Sequence, residues 1–224
     1  MKKMKKVLAV ALSLVMAGSL AACGSSSTET KASETAAEST AESGSEAASE
    51  VSTDGKVYNI GICQLIQHDA LDAATKGFED ALKETFGDNV KFDEQNAQGD
   101  SATCATIINS FVSNNDDLIL ANATAALQAA AAGTNTIPIL GTAVTDYGVA
   151  LDIDNFDGTV GGNISGTADL APLDGQADML HELFPDAKKV GLLYCSAEAN
   201  SQFQVDTIKE YLEKLGYTLS LIHI

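Results

Sequence analysis

Between Lys56 and Gly141 short apolar runs alternate with longer segments of helical periodicity, and this rhythm restricts the fold more than any other feature. Val57-Tyr58-Asn59-Ile60-Gly61-Ile62-Cys63 is a strand candidate. An amphipathic helix is expected from about Asp69 to Phe86, where Leu71, Ala74, Phe78, Ala81 and Leu82 recur at helical spacing. Val90 to Gln95 is a second strand, and Ser101 to Ser113 a second helix with Ile107, Ile108, Phe111 and Val112 on its apolar face. Asp117-Leu118-Ile119-Leu120-Ala121 is too apolar to face water on either side, as in a strand inside a parallel sheet. An alanine-rich helix from Thr124 to Ala132 ends at Gly133, and Ile137-Pro138-Ile139-Leu140-Gly141 is a fourth strand with proline near its start. Strands separated by helices of this length predict βαβ units, hence an α/β fold with parallel sheets flanked by helices.

The stretch from Asp154 to Asp169 breaks the rhythm. It holds Gly158, Gly161, Gly162 and Gly166, shows little periodicity, and is expected to be a connection between two lobes. The alternation then restarts with a helix from about Asp174 to Leu183, a turn at Pro185, a strand from Lys189 to Tyr194 and a helix from Asn200 to Leu215 stopped by Gly216. A lone strand makes no sheet, so this second lobe is expected to be truncated, with an open apolar face that promotes aggregation. The expected division is a first α/β lobe at residues 56–168 and an incomplete second one at 169–218. Residues 219–224, Leu-Ser-Leu-Ile-His-Ile, match the translation of the transposon mosaic end CTGTCTCTTATACACATC and are expected to be a non-native tail. A genuine strand through Thr218-Leu219-Ser220-Leu221 is the alternative.

Ahead of the folded part, Lys2, Lys3, Lys5 and Lys6 precede an apolar run from Val7 to Leu20 that is short for a membrane span. This pattern predicts a secretory signal peptide over residues 1–22. Leu20-Ala21-Ala22-Cys23 resembles the lipobox of bacterial lipoproteins, which implies that Cys23 carries a diacylglyceryl anchor; an ordinary signal with an incidental cysteine is the alternative. Residues 23–55 are rich in Ser, Thr, Ala and Glu, with Glu34, Glu38, Glu42, Glu46 and Glu50 at every fourth position. Those carboxylates would repel along one helix face, and nothing apolar is available to bury, so a disordered linker is expected. As a coil it would reach about 30 Å from the membrane.

After Cys23, nine basic residues face 31 acidic ones, a formal charge of −22. Such a surface repels nucleic acid and anionic headgroups, so neither is an expected partner. Every basic residue is a lysine. Without a guanidinium fork, an anionic ligand must be held by backbone N–H groups, hydroxyls or a lysine. Cys63, Cys104 and Cys195 lack metal-ligand spacing and sit among apolar neighbours, so free buried thiols are expected, with a single disulfide as the alternative.

Open parallel sheets bind ligands beyond the carboxyl ends of their strands, where loops meet helix N-termini. The candidate ligand-binding residues at those positions are Gln64 and His68, Ala123 and Thr124, Asp146, and Asn200 and Ser201. Thr124 is expected to cap its helix and leave N–H groups aimed at a carboxylate. Asp146 is expected to receive an ammonium or hydroxyl, or to cap a turn, and Tyr147 to line an apolar pocket or simply pack. His68 beside Asp69 suits a surface cap better than a binding group, and capping also suffices for Asn200 and Ser201 at a helix start. The phosphate loop, the nucleophile elbow and the paired-histidine zinc motif are missing, so no catalytic residue, cofactor or metal is expected.

In order along the chain stand Ile60-Gly61-Ile62, His68-Asp69-Ala70-Leu71-Asp72-Ala73, Gly77-Phe78, Asn96-Ala97-Gln98-Gly99-Asp100 and Thr124-Ala125-Ala126. Ile137-Pro138-Ile139, Asn163-Ile164-Ser165-Gly166-Thr167-Ala168-Asp169, Leu183-Phe184-Pro185-Asp186-Ala187-Lys188 and Asn200-Ser201 follow. Together these segments resemble the ABC-transporter substrate-binding lipoproteins of the tryptophan and tyrosine type. Asp69, Ala125 and Tyr147 occupy positions where that family often has proline. The resemblance implies a two-lobed periplasmic-binding-protein type I fold that closes on a small solute, with aromatic amino acids favoured. It also implies delivery to an ABC permease from the extracytoplasmic face of the membrane. A solute sensor reporting to a membrane receptor and a flavodoxin-like enzyme using His68 or Asp146 are the alternatives.

Overall fold

Alternation in the first strand assigns its two faces. In β1 (Tyr58–Gln64), Ile60 and Ile62 pack with Leu120, Phe78 and Leu82 on one side of the sheet, whereas Cys63 joins Cys104, Ile108 and Phe111 on the other. A computed structural model describes residues 55–224, so the expected signal segment, Cys23 and nearly all of the linker lie outside the described residues. A five-stranded sheet has the order β2-β1-β3-β4-β5, with β2 at Val90–Asn96, β3 at Leu118–Asn122, β4 at Ile139–Val144 and β5 at Ile164–Ala168. All its pairings are parallel. Helix α1 (Asp69–Phe86) covers the Ile60–Ile62 face, and α2 (Ser101–Asn114) and α3 (Thr124–Gly133) cover the other.

Gly61 sets how closely α2 approaches. A Cβ there would lie 2.5 Å from the Phe111 ring, so only glycine lets the helix settle onto β1. The same helix begins at Asp100, whose carboxylate accepts the Thr103 N–H at 2.6 Å, and ends at Asn115 in the left-handed region. Phe111, Ile108 and Leu127 are fully buried between the helices and the sheet.

Two expectations about the fold need correction. The stretch read as a mere connection contains β5, which pairs with β4. Asn163 ties its start to the α3–β4 loop through bonds to Thr134 O (3.2 Å) and Ile137 O (2.7 Å). Its residues are Ile-Ser-Gly-Thr-Ala, mostly exposed, so it carries no apolar alternation to betray a strand. The lone strand expected after it also has a partner: β6 (Lys189–Tyr194) pairs in parallel with β7 (Thr218–His223), which contains all but the last residue of the expected non-native tail. The strand alternative therefore describes the conformation of that segment. Helices α5 (Leu173–Leu183) and α6 (Ala199–Lys214) pack together, burying Ala177 and Leu212, and Tyr217 Oη lies 3.0 Å from His181 Nδ1. A single helical turn, α4 (Tyr147–Ala150), was not anticipated.

Candidate functional site

Strand register decides which residues meet. Gln64 pairs with Asn122, and Asn122 with Thr142, so β1, β3 and β4 release the chain at adjacent points of one sheet end. Leu65 N donates to Asn122 O at 3.1 Å and Ala123 N to Thr142 O at 3.0 Å, which fixes the first residue of each loop. Gln64, Ala123 and Thr124 are thereby gathered at the carboxyl end of the sheet, where ligands of such folds bind.

Thr124 occupies the first turn of α3 but does not cap it. The N-cap is Ala123, at φ 97°, which has no side chain to accept a hydrogen bond. The first N–H groups of a helix have no intrahelical acceptor, and among the described residues no side chain caps those of α3. Thr124 Oγ1 is itself buried and has no hydrogen-bond partner among the described residues. Backbone donors, a hydroxyl and the positive end of a helix dipole thus converge, a combination suited to a carboxylate. A positive φ at a non-glycine residue is costly, and holding Ala123 there is what aims α3.

The structure redirects Gln64 from ligand contact to support. Its Nε2 donates to Ile66 O (3.0 Å) and Asp72 Oδ1 (2.6 Å), and its Oε1 accepts from Thr75 Oγ1 (2.8 Å) and Asn122 Nδ2 (3.3 Å). Two donors and two acceptors are all an amide has, so none is left for a solute. Asn122 Nδ2 reaches Leu71 O and Thr75 Oγ1, each at 2.9 Å, and ties the end of β3 to α1. Thr75, Asp72 and Asn122 escaped the sequence reading because their partners are distant in the chain. Asn122 Oδ1 is the second unpartnered polar atom at this end of the sheet.

The remaining candidates divide clearly. Asp146 caps α4, its Oδ1 accepting the Val149 N–H at 2.8 Å. Tyr147 is buried across β4 and β5 and donates to Thr167 O at 3.4 Å. Burial, then the nearby Asp169 carboxylate, pushes its phenol up to about 12 against the opposing Thr167 bond, so it stays neutral. His68 is the exposed N-cap of α1, with Nδ1 accepting from Ala70 N at 3.2 Å, as its position beside Asp69 suggested. Ser201 Oγ accepts the Cys195 N–H at 2.9 Å and so folds the start of α6 back onto the end of β6. Asn200 belongs to the same first turn, on the second sheet rather than the first, and α6 packs against α4. Among the described residues, no three or more His, Cys, Asp or Glu side chains gather as a metal site, and no helix is long and apolar enough to cross a membrane.

The profile of the ABC transporter substrate binding protein family matches residues 59–224. The chain belongs to this family. A tyrosine-binding protein from Clostridioides difficile strain R20291 is 44% identical over 169 residues. That match takes in 74% of this chain and 49% of the relative, so the chain spans about half the length of the curated relative it matches. Among solved structures, an ABC domain from Streptococcus pneumonia in complex with L-Trp is 35% identical with a TM-score of 0.70, over 75% of this chain and 58% of that one. The ligand-free, open form of a Clostridium difficile substrate-binding protein with adhesive properties is 41% identical with a TM-score of 0.57, over the same shares. A leucine-binding protein from Thermotoga maritima, 15% identical with a TM-score of 0.59, shares the fold alone. The parallel-sheet α/β architecture is that of the type I periplasmic binding proteins in this family, as expected from the sequence.

Proposed function

We propose that this chain acts in an ABC importer as an extracytoplasmic solute-binding lipoprotein whose small solute is an amino acid, with aromatic ones favoured. The observation that carries the reading is the start of α3: helix donors that no side chain among the described residues caps, beside a buried Thr124 hydroxyl with no partner there. The amino acid's carboxylate would sit there, held by backbone and hydroxyl, since residues 1–224 hold no arginine. Asp146, which keeps one carboxylate oxygen clear of its capping bond, would receive the ammonium. Residues 56–168 would form the first lobe, and 169–218 part of a second that brings Asn200 and Ser201 toward the solute by hinge closure. The lipid anchor at Cys23 and the acidic linker would tether it beside a membrane permease. The names of its relatives, tyrosine-binding and L-Trp-bound, support the aromatic preference. The role is capture and delivery, with no catalytic step.

Calorimetry of the protein against a panel of L-amino acids tests this reading. Thr124→Ala is expected to weaken binding of the preferred solute by about 10- to 100-fold, the loss of one charge-assisted hydrogen bond, with the melting temperature unchanged. A folded protein that gives no heat with any amino acid, or whose affinity ignores this substitution, would count against it.

A further inference from the structure

Asp116 is a carboxylate that the fold buries and does not pair. It is 7% exposed, and its Oδ2 is shielded from water with no hydrogen-bond partner among the described residues. The backbone fixes its place: α2 ends at Asn114, Asn115 turns through the left-handed region, and Asp116 N donates to Phe111 O at 3.1 Å. The carboxylate therefore lies over Gly61, where a Cβ would come within 2.8 Å of Oδ2. Burial first, then the Asp93 and Asp117 carboxylates, pushes the Asp116 carboxyl up from its ordinary value. A buried charge is costly to keep unless a partner meets it.

Asp116 lines a cavity of about 330 Å³ between the end of α2 and β2, the edge strand of the sheet. Gly61 pairs with Asp93, which brings a second carboxylate to the same cavity. Gln95 Nε2 donates to both Asp93 oxygens, at 3.1 and 3.0 Å, and holds that side chain in place. Asn59 and Asn114 add amides to the lining, and Lys91 adds one ammonium. Asp117, next in the chain, is already engaged: Lys56 Nζ donates to its Oδ1 at 2.6 Å and Asn59 N to its Oδ2 at 2.9 Å. The cavity sits toward the amino ends of the parallel strands, away from the exits that carry Thr124.

We propose that this cavity is a weak calcium site, in which Asp116 and Asp93 supply the charge and the Asn59 and Asn114 amide oxygens complete the shell together with water. The donor set decides the class of ion. Calcium accepts carboxylate, amide and water oxygens in variable number and at variable angles, whereas magnesium sheds water reluctantly and demands a regular octahedron. Neither histidine nor cysteine, the side chains that select transition metals, is among the lining residues. Two carboxylates against the Lys91 ammonium leave one net negative charge, so the affinity belongs near about 1 mM, the range of weak extracellular calcium modules. Lys91 is the internal rival, because its ammonium, swung inward, would neutralise the same carboxylates.

The test melts the whole chain in chelator and then across a calcium chloride series, with magnesium chloride at the same concentrations and sodium chloride at matched ionic strength. At ten times its midpoint calcium is expected to raise the melting temperature by about 3–6 °C, and magnesium or sodium by less than about half of that. Asp116→Asn keeps the shape and removes the charge. It is expected to abolish the calcium-specific rise and to melt above the unaltered protein in chelator, and Asp93→Asn is expected to abolish the rise as well. Lys91→Met is expected to lower the calcium midpoint by about threefold. Equal responses to calcium and magnesium, or a calcium rise that Asp116→Asn retains, would overturn the site and leave only screening of the acidic surface. An unaltered protein that ignores calcium would overturn it too, with Lys91 as the occupant.

Discussion

Gly166→Ala is expected to remove most of the stability of the first sheet, by at least about 4 kcal/mol, read as a lowered urea midpoint or failure to fold. A Cβ on Gly166 would run into the Tyr147 hydroxyl and the Gly141 carbonyl, and would lie 2.7 Å from Gly141 N. Two of those atoms are backbone in a neighbouring strand and have no rotamer through which to withdraw. Combining the change with Tyr147→Phe is therefore expected to restore little, because the Gly141 backbone still blocks the space. A urea midpoint for Gly166→Ala close to that of the unaltered protein would show that β5 does not pack on β4 as described.

Gln64→Leu is expected to cost about 3–4 kcal/mol, although leucine nearly matches glutamine in volume. The substitution removes four hydrogen bonds at once and takes from the Thr75 hydroxyl its acceptor, while Asn122 Nδ2 keeps Leu71 O and Thr75 Oγ1 and Asp72 Oδ1 keeps the His68 N–H. Thr75 and Asn122 are buried, so water cannot replace what they lose. Solute binding is expected to weaken as well, because Asn122 immediately precedes Ala123 and holds it to α1 through Leu71. Chemical denaturation measures the first effect and calorimetry the second. A loss below about 1 kcal/mol would mean that the four bonds are not formed together in solution.

Helices α1 and α2 were legible because each has an apolar stripe wide enough to define a face, α3 because it is rich in alanine and stops at Gly133, and β3 because it is apolar throughout. The ends of β1, β2 and β3 came out within a residue or two of expectation. β5 was not legible. Its glycine, serine and threonine are chosen for the space left by Tyr147 and by the neighbouring backbone, and that constraint exists only once the strands are paired. β4 lies later than its apolar run suggested, because Pro138 has no N–H to offer the ladder and pairing starts at Ile139.

In the site, position was readable and bonding was not. The exits of β1, β3 and β4 could be named from the strand pattern alone, and with them Gln64, Thr124 and Asp146. That Gln64 is saturated depends on Asn122, 58 residues away, and on a helix face that no local pattern reveals. Thr124 was expected to be a cap because threonine commonly is one. The cap is Ala123 instead, and its left-handed backbone leaves the helix donors open.

The most direct test of a carboxylate held at the start of α3 is a pair of calorimetric titrations, with L-tyrosine and with tyramine, which differ only in that group. Expected is clear binding of L-tyrosine, with tyramine weaker by about 100-fold or more, and a smaller gap between the two in Thr124→Ala. Equal affinities for the two compounds, or a gap that Thr124→Ala leaves unchanged, would place the carboxylate elsewhere and contradict the assignment.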